Sequence, residues 1–159
     1  MKHLPKHLQP RWRYLAVHLE TWPDAAFDRG SFQRTVWYSA QNLLGDTGSA
    51  ALDLSVMRFR LGEGTGEAVV RVRRGEVDRA RAVIACLDAV EGAPVGVRVA
   101  GVSGTIRACE EKYMGRGREQ PDQRYVAFEG AEQSAFVRGP RVDVEADGAF
   151  AGATNLDLQ

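Results

Sequence analysis

Apolar and polar side chains alternate from Trp12 to Glu20, with Leu15, Val17 and Leu19 on one side and Tyr14, Ala16 and His18 on the other. A period of two predicts a strand. Asp28 and Ser31 are candidate caps before Phe32, Val36, Trp37, Ala40, Leu43 and Leu44, whose spacing predicts one helical face. Gly45 and Gly48 are expected to stop that helix. Leu52, Leu54 and Val56 then alternate with Asp53 and Ser55, until the phase slips and Phe59 and Leu61 alternate with Arg58 and Arg60. The slip predicts a strand with a bulge near Met57. The glycine-rich run from Gly62 to Gly66 separates it from Val70 and Val72, which alternate with Arg71 and Arg73, so a hairpin is expected. Asp78 to Glu91 reads as a second amphipathic helix, with Val77, Ala80, Val83, Ile84, Leu87 and Val90 on one side and Pro94 beyond its end. Val95, Val97 and Val99 form a fourth strand, and Thr105 to Met114 a short third helix.

The order is βαββαβ. Right-handed crossovers in a unit of this size make an α+β ferredoxin-like sandwich the leading topology, a four-stranded sheet with two helices on one face. Tyr14, His18, Arg71, Arg73 and Arg98 then fall on the opposite face or its rim. After Arg118 the texture changes to Ala, Gly and acids with scattered apolar residues. The chain is therefore read as a domain over 1–118 and an acidic C-terminal tail of low or conditional order over 119–159, with short β segments at Arg124 to Phe128 and Arg141 to Glu145.

Composition sharpens that division. The 159 residues are 44% hydrophobic and 26% charged, enough for one domain with an appendage. A net charge of zero would argue against a nucleic-acid partner. The zero, however, sums a net +5 over 1–118 and a net −5 over 119–159. Of the 21 cationic side chains only Lys2, Lys6 and Lys112 are lysine. Arginine pairs with phosphate through two donors at once, although a GC-rich genome explains the bias equally well. Cys86 and Cys109 lack metal-ligand or CxxC spacing, which fits a reducing, cytoplasmic compartment. The apolar run Ala82 to Leu87 is far too short for a membrane span, and the polar, basic N-terminus has no signal core.

Val97 to Arg118, VRVAGVSGTIRACEEKYMGRGR, carries the most information. A strand runs into Ser103, Gly104 and Thr105 and then into a segment bearing Arg107, Lys112, Arg116 and Arg118. Hydroxyls beside a helix start suit a phosphate and equally suit a plain helix cap. With QPRWRYLAV at Gln9 to Val17, LLGDTGSA at Leu43 to Ala50 and VVRVRR at Val69 to Arg74, the SGTIR motif resembles that of the archaeal and eukaryotic ribonuclease P protein component 2 family. The resemblance spans about Lys2 to Arg118 and implies an RRM-like sandwich; nothing carries over to the tail.

The resemblance further implies a non-catalytic subunit of an endoribonuclease that matures the 5′ end of precursor tRNA. The RNA subunit performs hydrolysis with bound magnesium, and the protein binds no cofactor or metal. Implied partners are ribonuclease P RNA, precursor tRNA as holoenzyme substrate, a larger barrel-shaped protein subunit and a second copy within a heterotetramer, with no membrane. Arg11, Arg13, Arg58, Arg60, Arg71, Arg73, Arg74, Arg98, Ser103, Thr105, Arg107, Lys112, Arg116 and Arg118 are the candidate RNA-binding residues. Alternating arginines also serve as solvated strand faces that keep edges from pairing. VVRVRR stands where a base-reading RRM carries stacking aromatics, so phosphate and shape recognition is expected. Trp12 and Tyr14 more often pack than stack on a base. His3 and His7 are separated by Pro5, which disfavours a metal-binding helix. No paired carboxylates or Ser/His/Asp set stands out. The rival readings are a ferredoxin-like small-molecule-binding regulatory module, for which Thr21 to Gly30 lacks the anion loop of an acylphosphatase, and a non-catalytic protein scaffold.

Overall fold

The computed structural model describes residues 3–115 and 121–158. After a single 3-10 turn at Lys6–Leu8, the elements are β1 (Trp12–Thr21), α1 (Arg29–Leu52), β2 (Ser55–Gly62), β3 (Thr65–Arg73), α2 (Val77–Ala85), β4 (Ala89–Val90), β5 (Ala93–Ser103) and α3 (Ile106–Tyr113). They are followed by β6 (Asp122–Phe128), β7 (Ala131–Arg138), β8 (Arg141–Ala146) and β9 (Ala149–Thr154). The fold is mixed α+β with antiparallel pairing throughout.

The first sheet has the order β2-β3-β1-β5-β4. β1 lies at its centre because its odd positions Leu15, Val17 and Leu19 are apolar and fully or almost fully buried. They face α1 and α2, and the core closes with Phe32, Val36 and Ala40 from α1, Val83 and Ile84 from α2, and Val70 and Val72 from β3. Burying each large aliphatic or aromatic side chain contributes roughly 1.5–3 kcal/mol. Asp28 caps α1 by accepting from the Ser31 amide at 2.8 Å, and this hydrogen bond holds its carboxyl below the usual carboxylate range.

Several boundaries differ from the sequence expectation. α1 does not stop at Gly45 and Gly48. It kinks at Gly45 (φ 73°, ψ 177°), a conformation open to glycine, and re-enters helix as far as Leu52, whose burial holds the second turn on the core. Trp37, expected on the apolar face, is 45% exposed and donates its indole N–H to the Leu54 carbonyl at 2.7 Å. α2 ends at Ala85 rather than Glu91, because Ala89–Val90 pair with Ala93–Pro94 in a small hairpin. The slip near Met57 is present as a register shift between Val56 and Arg58.

The C-terminal segment, expected as an acidic tail of low or conditional order, is instead a four-stranded antiparallel meander in the order β6-β7-β8-β9. Register explains the difference. Pairing aligns Ala135 with Val144, Val137 with Val142 and Val142 with Ala153, so scattered apolar residues share one face. That face buries Val126, Ala135, Val142 and Val144, with Phe128, Val137 and Leu158 packed on them. Glu129-Gly130 and Asp147-Gly148 both have positive φ, as do Glu63-Gly64 and Glu91-Gly92 in the first sheet. An acid followed by glycine is the two-residue hairpin signal of a type I′ turn.

The second sheet docks where β1 ends. Arg138, buried, pairs with buried Asp143 and reaches the Thr21 carbonyl, Arg141 pairs with Glu20, and Trp22 stacks on Phe150 with centroids 6.0 Å apart. Burial pushes the Asp143 carboxyl up, against the opposing pull of Arg138.

Candidate nucleic-acid interface

The sheet face away from α1 and α2 carries Trp12, Tyr14, Ala16 and His18 of β1 opposite Arg73, Arg71, Val69 and Glu67 of β3. Strand alternation places these side chains together. α3 covers the middle of this face: Cys109 is fully buried against Ala16 and Val69, with Tyr14, Met57, Ile106 and Tyr113 packed around them. Burial, followed by the neighbouring Glu110 charge, pushes the Cys109 thiol up to about 11, so it is a packing residue and not a nucleophile.

Two polar clamps hold the end of α3. Arg98 is only a donor, so its 3.2 Å contact to His18 Nδ1 makes that nitrogen the acceptor. The proton then lies on Nε2, which donates to the Tyr113 carbonyl at 2.9 Å. Buried Glu67 accepts from the Gly115 amide at 2.9 Å through one oxygen and from Arg60 at 2.7 Å through the other.

The candidate arginines divide into two sets. Arg58 pairs with Glu110 at 3.4 Å, Arg60 with Glu67 at 2.7 Å, Arg73 with Asp53 at 3.6 Å and Arg107 with Glu111 at 2.8 Å. The hairpin is therefore not an uninterrupted positive stripe. The Arg58, Arg73 and Arg107 pairs are exposed and worth about 0–1 kcal/mol, whereas Arg60 is held on the buried Glu67 carboxylate. Arg11, Arg13, Arg71, Arg74, Arg98 and Lys112 have no carboxylate partner among the described residues. Arg116 and Arg118 lie outside the described residues.

Arg11, Arg13 and Arg74 lie at the end of the sheet where β1 begins and β3 and β5 finish. The Arg74 amide donates to the Arg11 carbonyl at 2.9 Å, which brings the two residues side by side. Arg13 runs past Gly104, where a Cβ would lie 3.6 Å from its Nη1. Tyr14 pairs with both Arg71 and Ser103, so SGT stands beside the arginines. Thr105 is the N-cap of α3 and accepts from the Ala108 amide at 3.1 Å, whereas the buried Ser103 hydroxyl has no partner among the described residues. The Arg71 guanidinium lies 3.9 Å from the Trp12 ring centroid and that of Arg73 5.1 Å. Cation–π contacts of this kind contribute about 0.5–1 kcal/mol at exposed sites and hold the forks in place. The role of Trp12 as an arginine platform was visible in sequence only as a tryptophan two positions from Tyr14.

The acidic meander docks at Thr21, Gly64 and Pro94, the opposite end of β1 from Trp12. The acid-rich segment thus docks at the opposite end of the sheet from Arg11, Arg13 and Arg74. Among the described residues, no group of three or more His, Cys, Asp or Glu side chains is placed to hold a metal ion, and no helix is long and apolar enough to cross a membrane.

This is a small α+β protein with a cationic sheet end beside a strand-to-helix SGT turn. Residues 13–114 match the Rpp14/Pop5 family model. The chain is 62% identical to ribonuclease P protein component 2 of Haloarcula marismortui, with 100% of both chains covered. It is also 62% identical to the protein of that name from Natronomonas pharaonis, covering 100% of this chain and 99% of the other. A chain in the cryo-EM structure of yeast ribonuclease MRP is similar with 14% identity and a TM-score of 0.47, over 60% of this chain and 75% of that one. The chain belongs to the Rpp14/Pop5 family, the ribonuclease P protein component 2 family of archaea, and membership makes it a protein subunit of the ribonuclease P ribonucleoprotein. The family match ends at 114, before the meander, whereas the two relatives run the full length.

Proposed function

We propose that the chain is a non-catalytic subunit that assists 5′-end maturation of precursor tRNA by binding and stabilising the catalytic RNA. The observation that carries this reading is that Arg11, Arg13 and Arg74, without carboxylate partners among the described residues, share the sheet end that holds the Ser103-Gly104-Thr105 turn, with Arg13 against Gly104. Crowded phosphates in a folded RNA repel one another, and arginines that neutralise them release counterions and favour the compact form. Magnesium and the hydrolytic step belong to the RNA. The strand order β2-β3-β1-β5 supports assigning the first domain to the ferredoxin-like, RRM-like sandwich. With α3 over the middle of the sheet, the contact is to phosphates at the sheet end and not to bases stacked across its face.

The larger barrel-shaped protein subunit and a second copy of the chain complete the proposed assembly. α1 presents Trp37, Tyr38 and Leu43, which are 45%, 62% and 46% exposed and supply an apolar surface for a protein partner. Reconstituting precursor-tRNA cleavage from the RNA and its protein partner, with and without this chain at limiting magnesium, tests the reading. Faster cleavage with the chain is the expected result, and equal rates overturn it.

A further inference from the structure

The meander adds a surface that the cationic end does not explain. Its packed side buries the valines, and the other side carries Tyr125, Ser134, Glu145 and Phe150 in one cross-strand row through β6, β7, β8 and β9. The next row toward the docking seam places Phe136 between Gln123 and Asp143, and the row beyond Tyr125 pairs Ala127 with Glu132. Trp22, Phe150 and Phe136 form a chain of ring contacts, each step 6.0 Å between centroids, so the two phenylalanines stand on a fixed base. Tyr125 is 73% exposed, and Glu132 and Glu145 are exposed without an ion-pair partner among the described residues.

Each edge of this row sets a ring beside a carboxylate. Glu145 is directly opposite Phe150, and Glu132 is diagonal to Tyr125 across the β6–β7 pair. Diagonal neighbours lie about 7–8 Å apart, within reach of long side chains. A ring face with an adjacent carboxylate attracts a cation twice, through the quadrupole and through charge. A guanidinium suits it better than an ammonium, because it is planar and weakly hydrated. Three strand spacings separate the two edges, about 14 Å, which an extended chain spans in about four residues. The net −5 of residues 119–159 repels RNA and attracts a basic chain.

We propose that the outer face of the meander, with exposed Tyr125 and Glu132 at one edge and half-buried Phe150, stacked on Trp22, beside exposed Glu145 at the other, docks an extended arginine-bearing segment of a partner protein whose arginines are about four residues apart. The surface is independent of the RNA-binding reading, since it lies beyond the family match and at the far end of β1.

The test titrates the full-length chain into a fluorescein-labelled glycine peptide carrying two arginines four positions apart, read by fluorescence anisotropy. Arms with lysine in place of arginine, and with labelled oligouridine in place of peptide, run in parallel. The arginine peptide is expected to bind more tightly than the lysine peptide. Tyr125→Ala is expected to weaken it about two- to fivefold, Tyr125→Phe to leave it unchanged, and the Glu132→Gln, Glu145→Gln pair to weaken it further. Tyr125 is too exposed for its truncation to unfold the sheet, and circular dichroism checks this. Equal affinity for the two peptides with no effect of Tyr125→Ala reduces the face to bulk charge and overturns the proposal. Oligouridine binding that is lost in Tyr125→Ala overturns it in favour of RNA. A concentration-dependent dimer lost in the same variant overturns it in favour of a second copy.

Discussion

Tyr113 lies flat over Gly101, so close that a Cβ at Gly101 would fall 2.1 Å from the phenol ring. Only glycine allows the α3 ring to rest on β5. That contact, with His18 beneath the Tyr113 carbonyl, decides that the second face of the sheet is closed by a helix and not open to bases.

Gly101→Ala is therefore expected to expel Tyr113 and loosen α3, an overpacking that costs about 1–3 kcal/mol. Thiol labelling under native conditions measures it. In the wild-type protein exposed Cys86 reacts while buried Cys109, with its raised thiol pKa, does not; in the variant both react. Continued protection of Cys109 would show that α3 is held without this contact.

Thr105 separates capping from phosphate binding. Thr105→Ala removes the acceptor for the Ala108 amide and is expected to cost about 1 kcal/mol of stability, while Thr105→Ser retains the cap. Thermal unfolding gives the first number and RNA affinity the second. A loss of RNA affinity beyond the loss in stability assigns the hydroxyl to the RNA as well.

The arginine sets predict different salt dependences. Arg13→Ala and Arg74→Ala together are expected to weaken RNA binding and to flatten the log-affinity against log-salt slope by about 0.9 per lost phosphate contact on duplex, and about 0.7 on single strands. Arg107→Ala is expected to do less, because Glu111 already neutralises that side chain at 2.8 Å. A larger slope change for Arg107 than for the Arg13 and Arg74 pair would move the interface onto α3.

The docking seam has a pH dependence of definite sign. Asp143 has its carboxyl pKa raised above 3.8, chiefly by burial, so its contribution to folding is complete below 3.8 and is lost as pH rises through the raised value. Asp143→Asn removes that pH dependence but leaves the buried Arg138 guanidinium without its counter-charge, so the seam is expected to be less stable at neutral pH. Arg138→Met strands the buried carboxylate and is expected to destabilise by about 3–5 kcal/mol, the usual cost of breaking a buried pair. Limited proteolysis of β6–β9 between pH 3.5 and 7 follows both, and an Asp143→Asn protein as stable as the wild type at neutral pH would show that Arg138 does not need the Asp143 charge.

Much of the first domain was legible because its signals are local. Alternation at Leu15, Val17 and Leu19, the Asp28 cap and the phase slip near Met57 each act within a few residues, and hydrophobic burial rewards the same period that the backbone imposes. The SGTIR motif carried the family for the same reason. The kink at Gly45 and the early end of α2 were not legible, since burial of Leu52 and the pairing of Val90 with Ala93 depend on partners far along the chain.

The meander marks the boundary most clearly. Its hairpin signals, Glu129-Gly130 and Asp147-Gly148, were present in the sequence, but whether Val126, Ala135, Val142 and Val144 share a face depends on strand register, which pairs residues from separate strands. Charge behaves likewise. The sequence by itself determined that basic and acidic side chains occupy different halves, because composition is additive along a chain. Only the tertiary structure decided which arginines are neutralised by Asp53, Glu67, Glu110 and Glu111 and which have no carboxylate partner among the described residues, because Coulomb interaction follows distance in space and not position in sequence.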